Sequence, residues 1–241
     1  MIYIALALIG IVSGMISGVV GTGSSIILLP ILAYIFGAKL AVPIMAIASI
    51  MGNISRVILW RKQLNIKAFL LFTSLGIPAT VLGAKTLWIM PATLSNICIG
   101  LFFLVLIPIR RYTKRHQLTI KNWQMVIIGG ILGYITGVVF STGPLLLPVF
   151  SGFGLTKGAL LATEAAASFA IYFTKSLTFG ALGVLQKDIL IAGVAVGCSL
   201  MVGNYLGKSF VLKMSEKKFN LALDAMLLLA GCSMLWEAYF H

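Results

Sequence analysis

Ten apolar stretches constrain what this chain can fold into more than any other feature of its sequence. They fall at about residues 2–20, 26–38, 40–60, 68–84, 93–109, 124–140, 144–155, 158–180, 189–207 and 219–236, separated by Gly, Pro or basic residues. A helix needs roughly 20 apolar residues to cross a hydrocarbon core about 30 Å thick, so 241 residues leave no room for a separate soluble domain. We predict an all-α polytopic membrane protein that forms one membrane domain.

The composition excludes a water-soluble globule and disfavours most enzymes. Hydrophobic residues make up 60% of the chain and charged residues 10%, against about 45–50% and about 25% in soluble domains. With 5 Asp+Glu and 2 His, the chain has little material for metal centres or paired-carboxylate hydrolysis. We predict no enzymatic activity, no metal and no cofactor. Cys98, Cys198 and Cys232 lie singly in apolar runs, and we interpret them as small core hydrophobes.

The net charge of +13 does not indicate a nucleic-acid partner. The cations flank apolar stretches, whereas a nucleic-acid interface would tile a polar face with basic and aromatic residues. Their placement is typical of topology signals in a membrane protein. The start of the chain, residues 1–4, lacks the positive region of a secretory signal, and no small-residue cleavage site follows. We expect it to be part of the mature structure.

Two of the apolar stretches, 26–38 and 144–155, are too short to span a bilayer. About 13 helical residues cover only about 20 Å. In each half of the chain we therefore predict a broken or re-entrant helix pair followed by three transmembrane helices. The sequence leaves open whether the short segments span or re-enter.

Four motifs recur in the same order in the two halves of the chain. They are residues 14–20 with 133–139, 28–30 with 146–148, 48–56 with 167–175, and the small-xxx-small pattern 79–83 with 203–207. This order predicts a duplication, with a first repeat over 1–115, a basic link over 116–123 and a second repeat over 124–241. Three full crossings per half would insert the second repeat upside down, which is a recurring architecture of secondary transporters.

The positive-inside rule orients this arrangement. Of 18 cations, thirteen fall in loops on one side, Lys39, Lys85 and Lys187 fall on the other, and Arg56 and Lys175 lie within helices. We therefore predict a multi-pass protein of the cell membrane with basic cytoplasmic loops and both termini outside. The lipid bilayer is its first expected partner.

Two Gly/Ser/Thr turns between the short segments are candidate binding elements. They comprise Gly21, Thr22, Gly23, Ser24 and Ser25 in the first half, and Ser141, Thr142 and Gly143 before Pro144 in the second. Glycine permits the turn, hydroxyls can cap the following helix, and proline suits a first helical position. Two positive helix N-termini meeting at the midplane would bind an oxyanion, although the turns could also be mere caps in a broken helix.

A polar stripe follows on the long helix of each half. At 100° per residue Glu164, Ser168 and Lys175 lie within about 40° of one another, with Tyr172 a further 40° round. Ser49, Asn53 and Arg56 take the equivalent line in the first half, where Met45 replaces the glutamate. Ionised residues at bilayer depth tend to face a cavity or a partner, so the cations could attract an anion. Alternatively, they reach the membrane interface by snorkelling.

The remaining acids in apolar segments have separate interpretations. We interpret Glu164 as a proton-coupling residue, unless one turn of snorkelling frees it at the interface. Asp224 is alone in the last apolar segment, and we expect it to form a salt bridge with basic residues at that end or a helix-packing hydrogen bond.

The glycine-rich opening, Leu28-Leu29-Pro30 and its repeat Leu146-Leu147-Pro148, and the basic link from Arg110 to Arg115 resemble the TauE/SafE sulfite exporter family of TSUP membrane permeases. Thr163-Glu164-Ala165 followed by Lys175 is similar to the second-half pattern of one branch. The resemblance covers essentially the whole chain. It implies transport of small anionic compounds such as sulfite, thiosulfate or organosulfonates, driven by an ion gradient.

Together these features predict a permease for a small anion, such as sulfite, thiosulfate, sulfoacetate or taurine, acting by alternating access at a midplane site. In this interpretation Ser24, Ser25, Ser141 and Thr142 hold substrate oxygens, Arg56 and Lys175 stabilise the negative charge, and Glu164 couples protons. An integral-membrane accessory protein without transport, and an anion channel, are the alternatives. The sequence leaves the substrate, the direction of transport, the coupling ion and the oligomeric state open.

Overall fold

The computed structural model describes residues 8, 10–15, 23–115, 119–139, 142–211 and 216–240. Its helices are α1 (Gly23–Phe36), α2 (Ala38–Trp60), α3 (Ile66–Ile89), α4 (Ala92–Arg115), α5 (Asn122–Val138), α6 (Gly143–Gly152), α7 (Lys157–Ala181), α8 (Lys187–Val211) and α9 (Glu216–Phe240). Residues 10–15 are also helical, and a 3₁₀ turn, Arg61–Gln63, follows α2. No strand occurs among these residues, so the predicted all-α class is confirmed.

The helices coincide with the apolar stretches of the sequence. Lys39–Ile58, Ile66–Ile89 and Ala92–Thr113 are each long and apolar enough to cross a bilayer. In contrast, α1 has 14 residues and α6 has 10. At a rise of about 1.5 Å per residue these helices are roughly 21 and 15 Å long, well short of the hydrocarbon core. The two short segments predicted from the sequence are therefore short helices, and the protein is a helical membrane protein.

Local sequence explains where several helices begin and end. Gly37, with φ of 78°, separates α1 from α2, and Gly154, with φ of 97°, lies between α6 and α7. A side chain would strain either position, because positive φ places a Cβ against the backbone. Asn65 begins α3 as an N-cap, since its side-chain oxygen accepts a hydrogen bond of 2.9 Å from the Ala68 N–H.

Glycines allow a close helix contact between α3 and α5. A methyl group on Gly137 would lie 2.7 Å from the backbone of Thr80, Gly83 and Ala84, which is closer than atoms can approach. Gly203 of α8 meets residues 10–15 in the same way, with its missing Cβ only 2.8 Å from the Gly14 Cα. The close approach predicted for the small-xxx-small motifs is therefore confirmed at Gly83 and Gly203.

The directions of the helices follow from these and other contacts. α3, α5 and α7 are parallel, because successive positions along α3 meet successive positions along α5 and α7. α2 runs the opposite way to α7, because Arg56 meets Glu164 whereas Gln63, just after α2, meets Gly158 at the start of α7. α8 is parallel to α2, and residues 10–15 are parallel to α8. α4 and α9 are antiparallel, with Gly100 beside Gly231 and Arg110 beside Asp224.

The core lies around α2 and α7, which contact each other at the centre of the fold. α8 also packs on α2, and α3 packs on α7. The short helices α1 and α6 contact α2 and α7 respectively. Any side chain on the facing surfaces of α2 and α7 is therefore enclosed by protein on several sides.

The expectation that the three cysteines are core residues was wrong for two of them. Cys98 is partly buried, whereas Cys198 and Cys232 are exposed on the outer surface of the helices. An apolar sequence environment does not distinguish the two places, because a bilayer is as apolar as the interior of a protein.

Candidate functional site

The centre of the candidate site is an ion pair between α2 and α7. Arg56 Nη1 donates to Glu164 Oε2 at 2.5 Å. Two neighbours hold this pair in place. Arg56 Nη2 donates to Asn53 Oδ1, and Ser168 Oγ donates to Glu164 Oε1 at 2.9 Å. Four residues of the two predicted polar stripes are thus brought together in one hydrogen-bonded group.

The burial of this group shows how its charges are stabilised. The Glu164 side chain is 1% exposed and that of Arg56 is 22% exposed. Removing one partner from a buried ion pair leaves an uncompensated charge, which is strongly destabilising. Arg56 therefore turns towards its partner on α7 and does not snorkel away from the protein, and the Glu164 carboxylate is enclosed by protein. The other side of the group is anchored on α2, where Asn53 Nδ2 donates to the Ser49 carbonyl at 2.9 Å.

Lys175, the second buried cation, caps the end of α5. Its side chain is completely buried, and Nζ donates to the carbonyls of Thr136 at 2.5 Å and Val139 at 2.8 Å. The last carbonyls of a helix lack partners within it and carry partial negative charge, so a cation is favourable there. The ring of Phe179 lies 5.9 Å from Nζ. Snorkelling is therefore wrong for Lys175 as well, because its partners are inside the protein.

The turn between α5 and α6 departs from the predicted capping. Pro144 lies at the start of α6, as expected, and Thr142 is the N-cap residue. However, the Thr142 hydroxyl makes no capping bond, and its Oγ1 lies 2.6 Å from Thr136 Oγ1. Thr136 already donates its hydroxyl hydrogen to the Leu132 carbonyl at 2.6 Å. A hydroxyl has one hydrogen, so Thr142 must donate to Thr136 and has none left for an anion.

Sequence reasoning did not single out Thr136 as a site residue. It nevertheless links Lys175, through its carbonyl, to the turn at Thr142, through its hydroxyl. The available signal was its position in the repeated motif at 133–139, where a hydroxyl stands between two glycines. A serine or threonine inside an apolar helix usually bonds the carbonyl four residues earlier, which made it look structural.

The structure describes some of the other predicted site residues. Tyr172 is buried and Ser49 is partly buried on the facing helices, and Gly143 is the first residue of α6. The backbone of Gly23, Ser24 and Ser25 forms the first turn of α1. Gly21, Thr22 and Ser141 lie outside the described residues. The predicted meeting of the two turns is consequently not among the contacts described.

The charges on α7 form a track along one face. Glu164 and Lys175 are eleven positions apart, which corresponds to about 16 Å along a helix and nearly the same direction around it. Within the described part of the chain, these two are the charged side chains that are fully enclosed. With Arg56 paired to Glu164, the track carries two positive charges and one negative charge. Met45, the first-half counterpart of Glu164, is completely buried and uncharged.

Asp224 belongs to a different cluster. Its Oδ1 lies 3.1 Å from Arg110 Nη1, and its Oδ2 lies 2.8 Å from Arg111 Nη2. The predicted salt bridge is confirmed, and the partners come from the end of α4. This cluster ties the last helices of the two halves together and is separate from the track between α2 and α7.

Charges buried between the central helices of a polytopic membrane protein mark pathways for solutes or ions. The fold and the site thus define an integral membrane protein built around an internal charged track. The family model of the sulfite exporter TauE/SafE matches residues 6–234, nearly the whole chain. No curated protein and no solved structure was found to match. The chain belongs to the sulfite exporter TauE/SafE family, a family of membrane transporters for sulfite and related anions.

Proposed function

We propose that the protein is a secondary permease that moves a small anion by alternating access at a site between α2 and α7. The anion would be a sulfur oxyanion or an organosulfonate, such as sulfite, thiosulfate, sulfoacetate or taurine. The observation that carries the proposal is the track of Arg56, Glu164 and Lys175, because it leaves one buried positive charge without a carboxylate among the described residues.

The directions of the helices support an inverted repeat. In our proposal 1–115 forms the first repeat, 116–123 the link and 124–241 the second repeat. Equivalent helices then run in opposite directions, as the contacts of α2 with α7 and of α4 with α9 indicate. Pairwise contacts recur too: α3 packs on α5 as α8 packs on residues 10–15. Such repeats provide two related conformations around a fixed midplane site.

The binding site lies at the level of the inferred two-fold axis, between Arg56 and Lys175. Because α2 and α7 are antiparallel and meet at Arg56 and Glu164, the rise of a helix puts Ser49 and Asn53 near the level of Ser168 and Tyr172. A substrate centred there is about 8 Å from each end of the track, by the rise of a helix. Asn53 supplies the second N–H of its amide, since the first goes to the Ser49 carbonyl, and Tyr172 supplies a buried ring with a hydroxyl. Ser168 donates its single hydrogen to Glu164 and positions that carboxylate.

Lys175 contributes charge. Its Nζ donates to the Thr136 and Val139 carbonyls at the end of α5, so it acts on a substrate about 8 Å away through its positive charge. The same carbonyls orient the ammonium group, so it is held in place before the anion arrives, which reduces the entropy lost on binding.

The two turns would complete the site. The N-termini of α1 and α6 carry partial positive charge, and in our proposal Gly21, Thr22, Gly23, Ser24 and Ser25 face Ser141, Thr142 and Gly143 across the midplane. The hydroxyl hydrogen of Thr142 is donated to Thr136, so in this conformation Thr142 can contact the anion only through its backbone. We assign proton coupling to Glu164. During the cycle a proton would bind to its carboxylate, which would then release Arg56.

The proposed orientation places both termini outside and the basic loops in the cytoplasm of a cell whose plasma membrane holds the protein. Arg61, Lys62 and Lys67 are exposed at the end where Arg56 and Glu164 pair, so this end would be the cytoplasmic one. Thiol labelling of single cysteines placed there and at Lys187, in intact cells and in lysed cells, tests the assignment. Equal labelling at the two ends in intact cells would contradict it.

Transport itself is tested with purified protein in liposomes. We expect saturable uptake of at least one of sulfite, thiosulfate, sulfoacetate or taurine, with a rate that depends on an imposed proton gradient. We also expect thermal stabilisation by the same compound, because a ligand that binds the folded state raises its apparent stability. Binding without flux would indicate an accessory protein. Uncoupled conductance would indicate a channel.

A further inference from the structure

We infer that Glu164, while it is ionised and paired with Arg56, sets the charge of the substrate that binds, so that the pathway accepts monoanions, such as alkyl sulfonates and hydrogen sulfite, in preference to dianions such as sulfate. This inference rests on the proposed function, because it concerns the same site. It narrows the substrate class from small anions in general to those with one negative charge.

The charge count along the track leads to this inference. Arg56 and Lys175, the latter in its ammonium form, contribute two positive charges, and Glu164, bonded to Arg56 at 2.5 Å, contributes one negative charge. The balance is one positive charge, which a monoanion would neutralise. A dianion would instead leave an excess negative charge in a region of low dielectric, where uncompensated charge is unfavourable.

Other charges described in the structure do not alter this balance at close range. Arg110 and Arg111 of α4 form ion pairs with Asp224 of α9. Lys39 donates to the Trp88 carbonyl at 3.0 Å, at the end of α3. The remaining cations with described side chains are exposed.

The two halves of the chain differ at the position of Glu164, which carries the negative charge of the track. Glu164 is paired with a cation from the opposite half, and the symmetric position to it in the first half is Met45. A carboxylate at position 45 would have given the track two acids and two cations, with no net charge. With methionine at position 45, Lys175 has no acidic partner among the described residues, and the track keeps a net positive charge.

Coulomb's law gives the size of the expected selectivity. Glu164 lies about 8 Å from the centre of the track, and an effective dielectric constant of about 20 suits such a site. Removing its charge should then improve the binding of a dianion relative to a monoanion by about tenfold to thirtyfold. This ratio is independent of the absolute affinity of either anion.

The test is a series of variants that changes the charge of the track in single steps. Methanesulfonate and sulfate are the probes, because their charges are fixed near neutral pH. The wild type should prefer methanesulfonate, and Glu164→Asp, the matched control that keeps the charge, should do the same. Glu164→Gln should shift the affinity ratio towards sulfate by at least about tenfold. Arg56→Gln should weaken the binding of both probes.

The double variant Arg56→Gln/Glu164→Gln separates charge from local geometry. It lacks the ion pair but restores the charge of the wild type, so it should again prefer methanesulfonate. All variants are compared by thermal shift and by competition in liposomes, after a monodisperse elution profile has shown that they are folded. If Glu164→Gln does not fold, the double variant, which has no buried unpaired arginine, still tests the charge count.

Three results would overturn the inference. They are a wild type that prefers sulfate, a folded Glu164→Gln variant with an unchanged ratio, and a double variant that prefers sulfate. A wild type that binds and transports neither these probes nor any sulfur oxyanion would instead refute the proposed function. The two failures are therefore distinguishable in the same experiment.

Discussion

Replacing Lys175 by methionine separates the role of this residue in folding from its role in transport. The substitution keeps most of the length of the side chain and removes the ammonium group. Nζ loses its hydrogen bonds to the Thr136 and Val139 carbonyls, of 2.5 and 2.8 Å. It also loses the positive charge that we assign to the anion.

The effect on stability is the difference between two opposing terms. Hydrogen bonds to a charged group contribute about 1.5–3 kcal/mol each, so two of them contribute about 3–6 kcal/mol. Burying an ammonium group costs several kcal/mol, and methionine avoids this cost. We therefore expect the free energy of unfolding to fall by only about 1–3 kcal/mol. The end of α5 is the region that should loosen, since its carbonyls lose their cap.

The effect on transport has no such compensation. A unit charge about 8 Å from a bound anion is worth about 2 kcal/mol at an effective dielectric constant of about 20. Losing it should lower the affinity for the anion about thirtyfold. Transport should thus decline far more than stability.

The assay compares initial uptake rates over a range of substrate concentrations in liposomes with thermal unfolding in the same detergent. Lys175→Arg is the control, because it retains the charge in a different shape. We expect it to keep a measurable part of the uptake that Lys175→Met loses. Wild-type affinity in a folded Lys175→Met variant would refute the assigned role. A loss of uptake that only follows the unfolded fraction would assign the residue to folding alone.

Three further substitutions test the fold and the site. Gly137→Ala should lower the unfolding temperature, with a cost of about 1–3 kcal/mol, because its methyl group meets the backbone of α3 at 2.7 Å; Gly180→Ala, with space around it, is the control and should unfold at the wild-type temperature or above it. Asp224→Asn should destabilise the protein by leaving two arginines without a carboxylate; an unchanged unfolding curve would show that this cluster contributes nothing. Thr142→Val should change anion affinity less than twofold, as measured by titration, because its hydrogen is already donated to Thr136; a large loss would contradict that assignment.

The sequence by itself determined the class of the fold and the positions of its helices. Apolar stretches and the Gly, Pro and basic residues between them predicted nearly every helix, including the two short ones, because a hydrocarbon core requires long apolar segments with internally satisfied backbones. The order of the repeated motifs also indicated the family, which the match over residues 6–234 confirmed. Helical periodicity alone places Glu164, Ser168 and Lys175 on one face of α7.

Only the tertiary structure decided which partners these side chains have. Arg56 pairs with Glu164 across two helices, whereas Lys175, its counterpart in the second half, binds carbonyls at the end of α5. Local sequence cannot distinguish these outcomes, because a long cationic side chain can turn towards either end of its helix. Its direction depends on which acceptor groups of distant segments lie within reach. The charge balance of the track is therefore a property of the assembled helices.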